Sequence, residues 1–157
     1  MSTHNHTYNV NVTWTGNTGD GTSKPNGYSK NHEVRIAGKH VIEASSDPAF
    51  AGDADRHNPE EMLVAALSQC HMLWFLSRCA KHSVTVIAYV DDAIGTMVVH
   101  RDGGGEFTNV TLHPRITLAK EADPDLLARL HEESHRLCFI ARSVNFPVEV
   151  EAEYLML

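Results

Sequence analysis

The sequence contains few cysteines, and their number already excludes one class of protein. Three cysteines occur among 157 residues, which is too few for a small secreted domain held together by disulfides, and the number is odd. In a reducing compartment cysteines are thiols by default. Any bridge between two of them would therefore be transient or catalytic rather than structural.

Basic residues are also scarce. Lys and Arg number 13 against 20 Asp and Glu, which gives a formal net charge of −7. This balance excludes the basic footprint of a nucleic-acid-binding domain. With 42% apolar and 21% charged residues, the composition is that of a folded globular protein, and the length predicts a single domain over residues 1–157.

Long hydrophobic runs are missing as well. The first twelve residues have neither a basic start nor an apolar core, so they do not resemble a signal peptide. The longest apolar region, residues 62–76, is interrupted by Ser68, Gln69 and His71 and is too short to span a bilayer. We therefore predict a cytoplasmic protein that has no membrane contact.

A long helix is predicted from its start signals. Asn58 is a good N-cap, Pro59 suits the first helical position, and Asn58 with Glu61 resembles a capping box. Apolar residues fall on all sides of the segment that follows, as far as about Lys81. A helix that is apolar all round is typical of a buried, central position, covered by a sheet or by a partner subunit.

The second helix is predicted to open at Asp123 and to carry an apolar face as far as Val144, with Cys138 close to that face. Alternating or β-branched segments around the helices predict strands. These segments are residues 8–14, a hairpin over 33–44, a meander over 83–118, and a last strand over 146–154. This order of elements predicts an α+β fold with an antiparallel sheet.

The surroundings of two cysteines resemble the signatures of a known family. Residues 58–70, Asn-Pro-Glu-Glu-Met-Leu-Val-Ala-Ala-Leu-Ser-Gln-Cys, are similar to the first signature of the OsmC family (osmotically inducible protein C), which includes the organic hydroperoxide resistance proteins. In that signature a reactive cysteine follows the Glu by ten residues, as Cys70 follows Glu60. The second family cysteine precedes the last strand, as Cys138 does. Segments within residues 16–32 resemble a branch distinct from the hydroperoxide resistance proteins.

The resemblance implies an OsmC-like homodimer whose subunits intertwine around long, buried central helices. It also implies a peroxidase that reduces organic hydroperoxides. Cys70, as a thiolate, would attack the peroxide and become a sulfenic acid, and Cys138 would resolve this acid as a disulfide. An external dithiol reductant would restore both thiols, so no cofactor is expected.

A thiolate in a buried helix needs a neighbouring cation, because burial raises the pKa of a thiol. In the hydroperoxide resistance proteins, an Arg on the loop after the first strand supplies this charge, held by the Glu of the first signature. The corresponding loop, residues 15–20, has no Arg, so the candidates are Lys30, Arg56 and His71. Lys30 is the first choice. Glu60 lies about 15 Å along the helix from the nucleophile, so it would orient the cation from the partner subunit.

The residues also allow other interpretations. Two cysteines and two histidines make a conceivable zinc set: Cys70, His71, His135 and Cys138. Neighbouring positions on a helix point about 100° apart, which disfavours Cys70 and His71 on one metal, so we predict no metal site. Cys79 is assigned to the core. The alternative function is a non-catalytic redox sensor or small-ligand-binding protein that retains the cysteine pair, and the missing Arg favours it.

Overall fold

The computed structural model describes residues 4–157 and groups them into two compact units. One unit ends at Met62 and the other comprises Leu63–Leu157. No helix within the described residues has both the length and the hydrophobicity needed to cross a membrane. The assignment of the whole chain to a single domain stays a prediction.

The first unit contains a three-stranded antiparallel sheet. Its strands, in spatial order, are β1 (Asn11–Trp14), β2 (His32–Arg35) and β3 (Ile42–Ala44). The predicted hairpin is confirmed, with Val34 opposite Ile42. Gly38 lies in its turn at a φ of 76°, where a side chain would be strained.

The long helix is confirmed at its predicted bounds, α1 (Pro59–Lys81). The capping box also forms. The backbone N–H of Glu61 donates to the side-chain oxygen of Asn58 at 2.8 Å, and the N–H of Asn58 donates to the Glu61 carboxylate at 3.3 Å. Two N–H groups that the first turn leaves without helical partners are thereby satisfied, which explains why the helix begins here.

The second unit combines two sheets with a second helix. The strands are β4 (Val86–Asp91), β5 (Ile94–Val99), β6 (Gly105–Leu112), β7 (Pro114–Leu118), β8 (Val148–Val150) and β9 (Glu153–Met156), and the helix is α2 (Pro124–Leu137). One sheet has the order β4-β7-β9 and the other the order β5-β6-β8. The α+β class is confirmed, and Asp123 caps α2 as predicted, with its carboxylate accepting from the N–H of Asp125 at 3.0 Å.

The structure corrects the predicted strand pairing of the second unit. Of the predicted meander, β5 and β6 do pair as antiparallel neighbours, but β4 pairs with β7 instead of β5. The segment predicted as one strand over 106–118 breaks at His113 into β6 and β7, which belong to different sheets. The last strand also divides. Its halves pair in parallel, β8 with β6 and β9 with β7, so these two sheets are mixed, whereas the sheet of the first unit is antiparallel as predicted. The reason is that α2 forms a crossover, which returns the chain in the direction of an earlier strand.

The predicted extension of α2 to Val144 is also wrong. The helix ends at Leu137, and Cys138 follows it with extended backbone angles. A short 3-10 turn, Ala141–Ser143, comes next. Ile140, Ala141 and Val144 pack against the core around Leu67, so the apolar periodicity beyond Leu137 reflects burial of this turn and not a longer helix.

The chain by itself buries only one face of α1. The buried side chains are spaced four residues apart: Leu67, His71, Phe75 and Cys79. Phe75 and Cys79 pack with α2 and β7, and Leu67 packs against β6. The opposite side remains open, as Leu73 shows with 61% of its surface exposed. Within one subunit, α1 is therefore amphipathic in burial although its sequence is apolar all round.

Candidate active site

The structure brings Cys70 and Cys138 together. Cys70 lies in the middle of α1 and is partly exposed, whereas Cys138 lies just beyond the end of α2 and is only 1% exposed. Their side chains are close enough for Cys70 to contribute to the raised pKa of Cys138. Cys79 is buried in the core away from this pair, as predicted, and all three thiols are free.

Cys138 is held as a neutral thiol. Burial raises its pKa, and the interaction with Cys70 raises it further, while the backbone N–H of Ala141, which donates to its sulfur at 3.4 Å, acts in the opposite direction. At neutral pH Cys138 therefore keeps its proton. The two thiols therefore differ: Cys70 is accessible to solvent, whereas Cys138 is buried and protonated.

The polar residues that flank Cys70 in the sequence have specific structural roles. The hydroxyl of Ser68 donates to the carboxylate of Asp91, which also accepts from the N–H of His113 at 2.7 Å. His71 points into the core, where its Nε2 lies 2.9 Å from Nδ1 of His131. These contacts fix the part of α1 that presents Cys70.

His71 and His131 form a buried pair. Their rings stack with centroids 5.2 Å apart, and Phe75 stacks on His131 at 4.0 Å. Burial, with a smaller contribution from His135, lowers the pKa of His71 to about 4, and burial together with His71 lowers that of His131 to about 3. His71 is therefore neutral at pH 7 and supplies no positive charge to Cys70.

The sequence did not indicate a role for His131. It follows Leu127 by four residues and precedes Ser134 by three, so it lies on the apolar face of α2. The sequence does show a histidine on the apolar face of a helix, which is the feature that could have indicated a buried polar contact. Its partner, His71, could not be deduced because the two residues are 60 positions apart.

Two aromatic side chains, those of Trp74 and Phe139, belong to residues near the cysteines in the chain. Trp74 lies one turn after Cys70, and its ring meets that of Phe139, the neighbour of Cys138, edge-on at 5.6 Å. Arg78 lies 5.5 Å from the Trp74 ring and 3.4 Å from the Glu133 carboxylate. Phe139 is 67% exposed. Residues next to both cysteines in the chain therefore contribute apolar ring surface, and part of it is exposed.

The other predicted site residues belong to the first unit. The ammonium group of Lys30 lies 3.8 Å above the ring of Tyr28. The guanidinium group of Arg56 lies 3.4 Å from the carboxylate of Glu43. Glu60 is partly exposed in the first turn of α1. Their predicted roles at the thiol pair stay predictions.

Within residues 4–157, no three His, Cys, Asp or Glu side chains are grouped as ligands for a metal ion. His135 contributes electrostatically to the environment of His71, but its own side chain is exposed. The two histidines of the conceivable zinc set thus differ in position, since His71 is directed to His131 in the core. The site is built from thiols and aromatic rings.

A partly exposed thiol on a long helix and a buried thiol beside it, just beyond a second helix, define an α+β protein with a pair of neighbouring free thiols. The chain belongs to the OsmC-like protein family, whose family model matches residues 52–153. An OsmC-like protein of unknown function from Vibrio cholerae is 33% identical, with a TM-score of 0.83 over 94% of this chain and 99% of that one. No curated protein matches the sequence.

More distant structures share the fold. An organic hydroperoxide resistance protein from Elizabethkingia anophelis is 18% identical, with a TM-score of 0.71 over the full length of both chains. The organic hydroperoxide resistance protein OhrB of Bacillus subtilis is 16% identical, with a TM-score of 0.64 over 96% of this chain and 98% of that one. The fold recognised in the sequence is thereby confirmed.

Proposed function

We propose that this protein is a thiol-dependent peroxidase that reduces organic hydroperoxides. The observation that carries the proposal is that the side chain of the partly exposed Cys70 interacts with that of the buried Cys138. A nucleophile must be reachable by its substrate, and a resolving thiol must lie beside it. The two cysteines meet these separate requirements.

The reaction balances with these two residues and an external dithiol. The Cys70 thiolate attacks the terminal oxygen of the hydroperoxide, the O–O bond breaks, and the alkoxide leaves and takes up a proton as an alcohol. Cys70 is then a sulfenic acid. The sulfur of Cys138 attacks it, a disulfide forms, and water leaves. The dithiol reduces the disulfide by thiol–disulfide exchange.

Two features support an organic substrate. The rings of Trp74 and Phe139 stand beside the cysteines and offer apolar surface to an alkyl or aryl group. Members of the same fold include proteins described as organic hydroperoxide resistance proteins. Hydrogen peroxide has no apolar part to bury and would gain nothing from these rings.

The proposed active form is a homodimer. Leu73, on the side of α1 away from the core, is 61% exposed, and a second copy would cover it. The same partner would bring Glu60 and a cation, Lys30 or Arg56, to the thiol pair. The site would then be composite, and the cation would stabilise the thiolate of Cys70.

Thiol titration tests the proposed function. The reduced protein should lose two of its three thiols within minutes after one equivalent of cumene hydroperoxide, and dithiothreitol should restore them. Cys79 should remain, because it is buried and burial raises its pKa to about 11. A protein that keeps three thiols under these conditions would be a binding protein or a sensor for another signal, and the peroxidase proposal would be wrong.

Replacing Lys30 with Met should slow the reaction of Cys70. If Lys30 is the activating cation, its removal should raise the pH at which Cys70 is alkylated by iodoacetamide and reduce the rate of peroxide consumption by about tenfold or more. Lys30→Arg should preserve the rate, since Arg can pair with Glu60 through two hydrogen bonds. Lys24→Met, in the same loop, is the matched control. An unchanged alkylation profile for Lys30→Met would transfer the role to Arg56.

A further inference from the structure

Arg78 is a charged residue that the proposed chemistry does not use. It lies on α1, eight residues after Cys70, and only 17% of its side chain is exposed. Among the described residues, its Nε has no hydrogen-bond partner although it is buried. Burying a cation with an unpaired donor costs stability, and an apolar side chain of similar length would avoid this cost. Folding alone therefore does not explain an arginine at this position.

The contacts of Arg78 extend toward the thiol pair. Its guanidinium carbon lies 5.5 Å from the ring centroid of Trp74, one turn earlier on α1. Its Nη1 lies 3.4 Å from the carboxylate of Glu133 on α2. The ring of Trp74 in turn meets that of Phe139 edge-on, with centroids 5.6 Å apart. We call these four residues the Arg78 clamp: Glu133, Arg78, Trp74 and Phe139.

The clamp and the nucleophile lie along one strip of α1. Cys70, Trp74 and Arg78 follow one another at intervals of four residues, which places them on the same side of the helix. At one end of the strip Glu133 contacts Arg78. At the other end Cys138 interacts with Cys70. The clamp therefore joins α1 both to α2 and to the residue that follows Cys138.

We propose that Arg78 is a positioning residue for disulfide formation: through the clamp it holds the segment after α2 against α1, so that Cys138 stays beside Cys70. The inference rests on the proposed function for the pairing of these two cysteines, and it adds the residue that keeps them together. Because Cys138 lies just beyond α2, with extended backbone angles, contacts of its neighbours contribute to its position.

The clamp has a chemical consequence for the thiol pair. Holding two thiols close raises the effective concentration of one at the other, which stabilises the disulfide and speeds its formation. In the peroxidase cycle, a faster second step removes the sulfenic acid of Cys70 before more peroxide can oxidise it further. Without the guanidinium group, Trp74 loses the cation beside its ring and Glu133 loses its partner, so the segment after α2 should be held less tightly.

Equilibration with glutathione tests this role without any peroxide. The two thiols give two electrons and two protons to oxidised glutathione, which leaves a Cys70–Cys138 disulfide and two molecules of reduced glutathione. Mass spectrometry of the acid-quenched, full-length protein gives the equilibrium constant. We expect Arg78→Met, which keeps the apolar stem, to lower this constant about fivefold or more. Arg78→Lys keeps a cation near Trp74 and should lower it less.

Two comparisons separate positioning from a general effect on the fold. Arg136→Met makes the same change at an exposed position of α2 and should leave the equilibrium constant unchanged. In urea, reduced Arg78→Met should unfold at nearly the same concentration as the reduced unchanged protein, because removal of the unpaired Nε offsets the lost contacts. In the double variant with Glu133→Gln, the constant should fall little further than in Arg78→Met alone, since both residues belong to one unit.

The outcomes distinguish this inference from the proposed function. An equal constant for Arg78→Met and the unchanged protein would overturn the inference, as would an equal fall in Arg136→Met. A disulfide that forms with glutathione and weakens in Arg78→Met supports the inference even if the thiols survive cumene hydroperoxide, a result that would contradict only the proposed function. If no glutathione ratio yields the disulfide in the unchanged protein, both are wrong.

Discussion

Replacing Cys70 with Ser is expected to abolish the reaction with cumene hydroperoxide, lowering its second-order rate constant by at least about 1000-fold. A serine hydroxyl at this position is almost entirely protonated at neutral pH, so the nucleophile is lost while the shape of the site is kept. Stopped-flow measurement of peroxide consumption, at fixed protein concentration, provides the rate constant.

The two other cysteines provide the controls for this experiment. Cys138→Ser should leave the first step intact and stop the second, so that Cys70 accumulates as sulfenic acid and is oxidised further by excess peroxide. Mass spectrometry should then show mass increases at Cys70 and no disulfide. Cys79→Ser should behave as the unchanged protein. If Cys79→Ser loses activity and Cys138→Ser does not, the assigned pair is wrong.

The second large effect is a loss of folding stability at low pH. The protein should lose stability as the pH falls from about 6.5 toward about 4, because His71 and His131 are bonded to each other as neutral rings in the core. In the folded state burial lowers the pKa of His71 to about 4, whereas the unfolded chain protonates this residue near its ordinary value of 6.5. Between these pH values the unfolded state binds more protons than the folded state, so the free energy of unfolding rises with pH. The contribution of the neutral His71 ring is fully present above about pH 6.5. The loss for His71 alone corresponds to about 3 kcal/mol.

Urea denaturation at a series of pH values between 7.5 and about 4 measures this loss, with protein concentration held constant. Carboxylates also titrate in the lower part of this range, so the comparison is between variants. His131→Phe removes one titrating ring and should flatten the dependence above pH ~5. His82→Gln, which replaces an exposed histidine, should leave it unchanged. Parallel curves for His131→Phe and the unchanged protein would show that the buried pair does not control acid stability.

Structural features that depend on a few neighbouring residues could be predicted from the sequence. The capping box of Asn58 and Glu61 and the N-cap of Asp123 predicted where both helices begin, and the structure has them there. Such signals work because the groups that satisfy a helix end are its own neighbours in the chain. The hairpin around Gly38 was predictable for the same reason.

The pairing between strands that are distant in the chain could not be predicted from the sequence. A segment of alternating residues shows that it has an inner and an outer face, but it does not show which strand lies beside it or in which direction. The final segment shows this limit. Its alternation was predicted correctly, yet its halves β8 and β9 join different sheets and pair in parallel.

The sequence by itself determined the helix starts, the α+β class, the family and the two cysteines that carry the proposed chemistry, because each is written in local spacing or in a contiguous motif. Only the tertiary structure decided that Cys138 lies beyond α2, that His71 pairs with His131, and that Arg78 meets Glu133. These features depend on which side chains meet across elements far apart in the chain. The free energy of burial selects those contacts, and no spacing in the sequence records them.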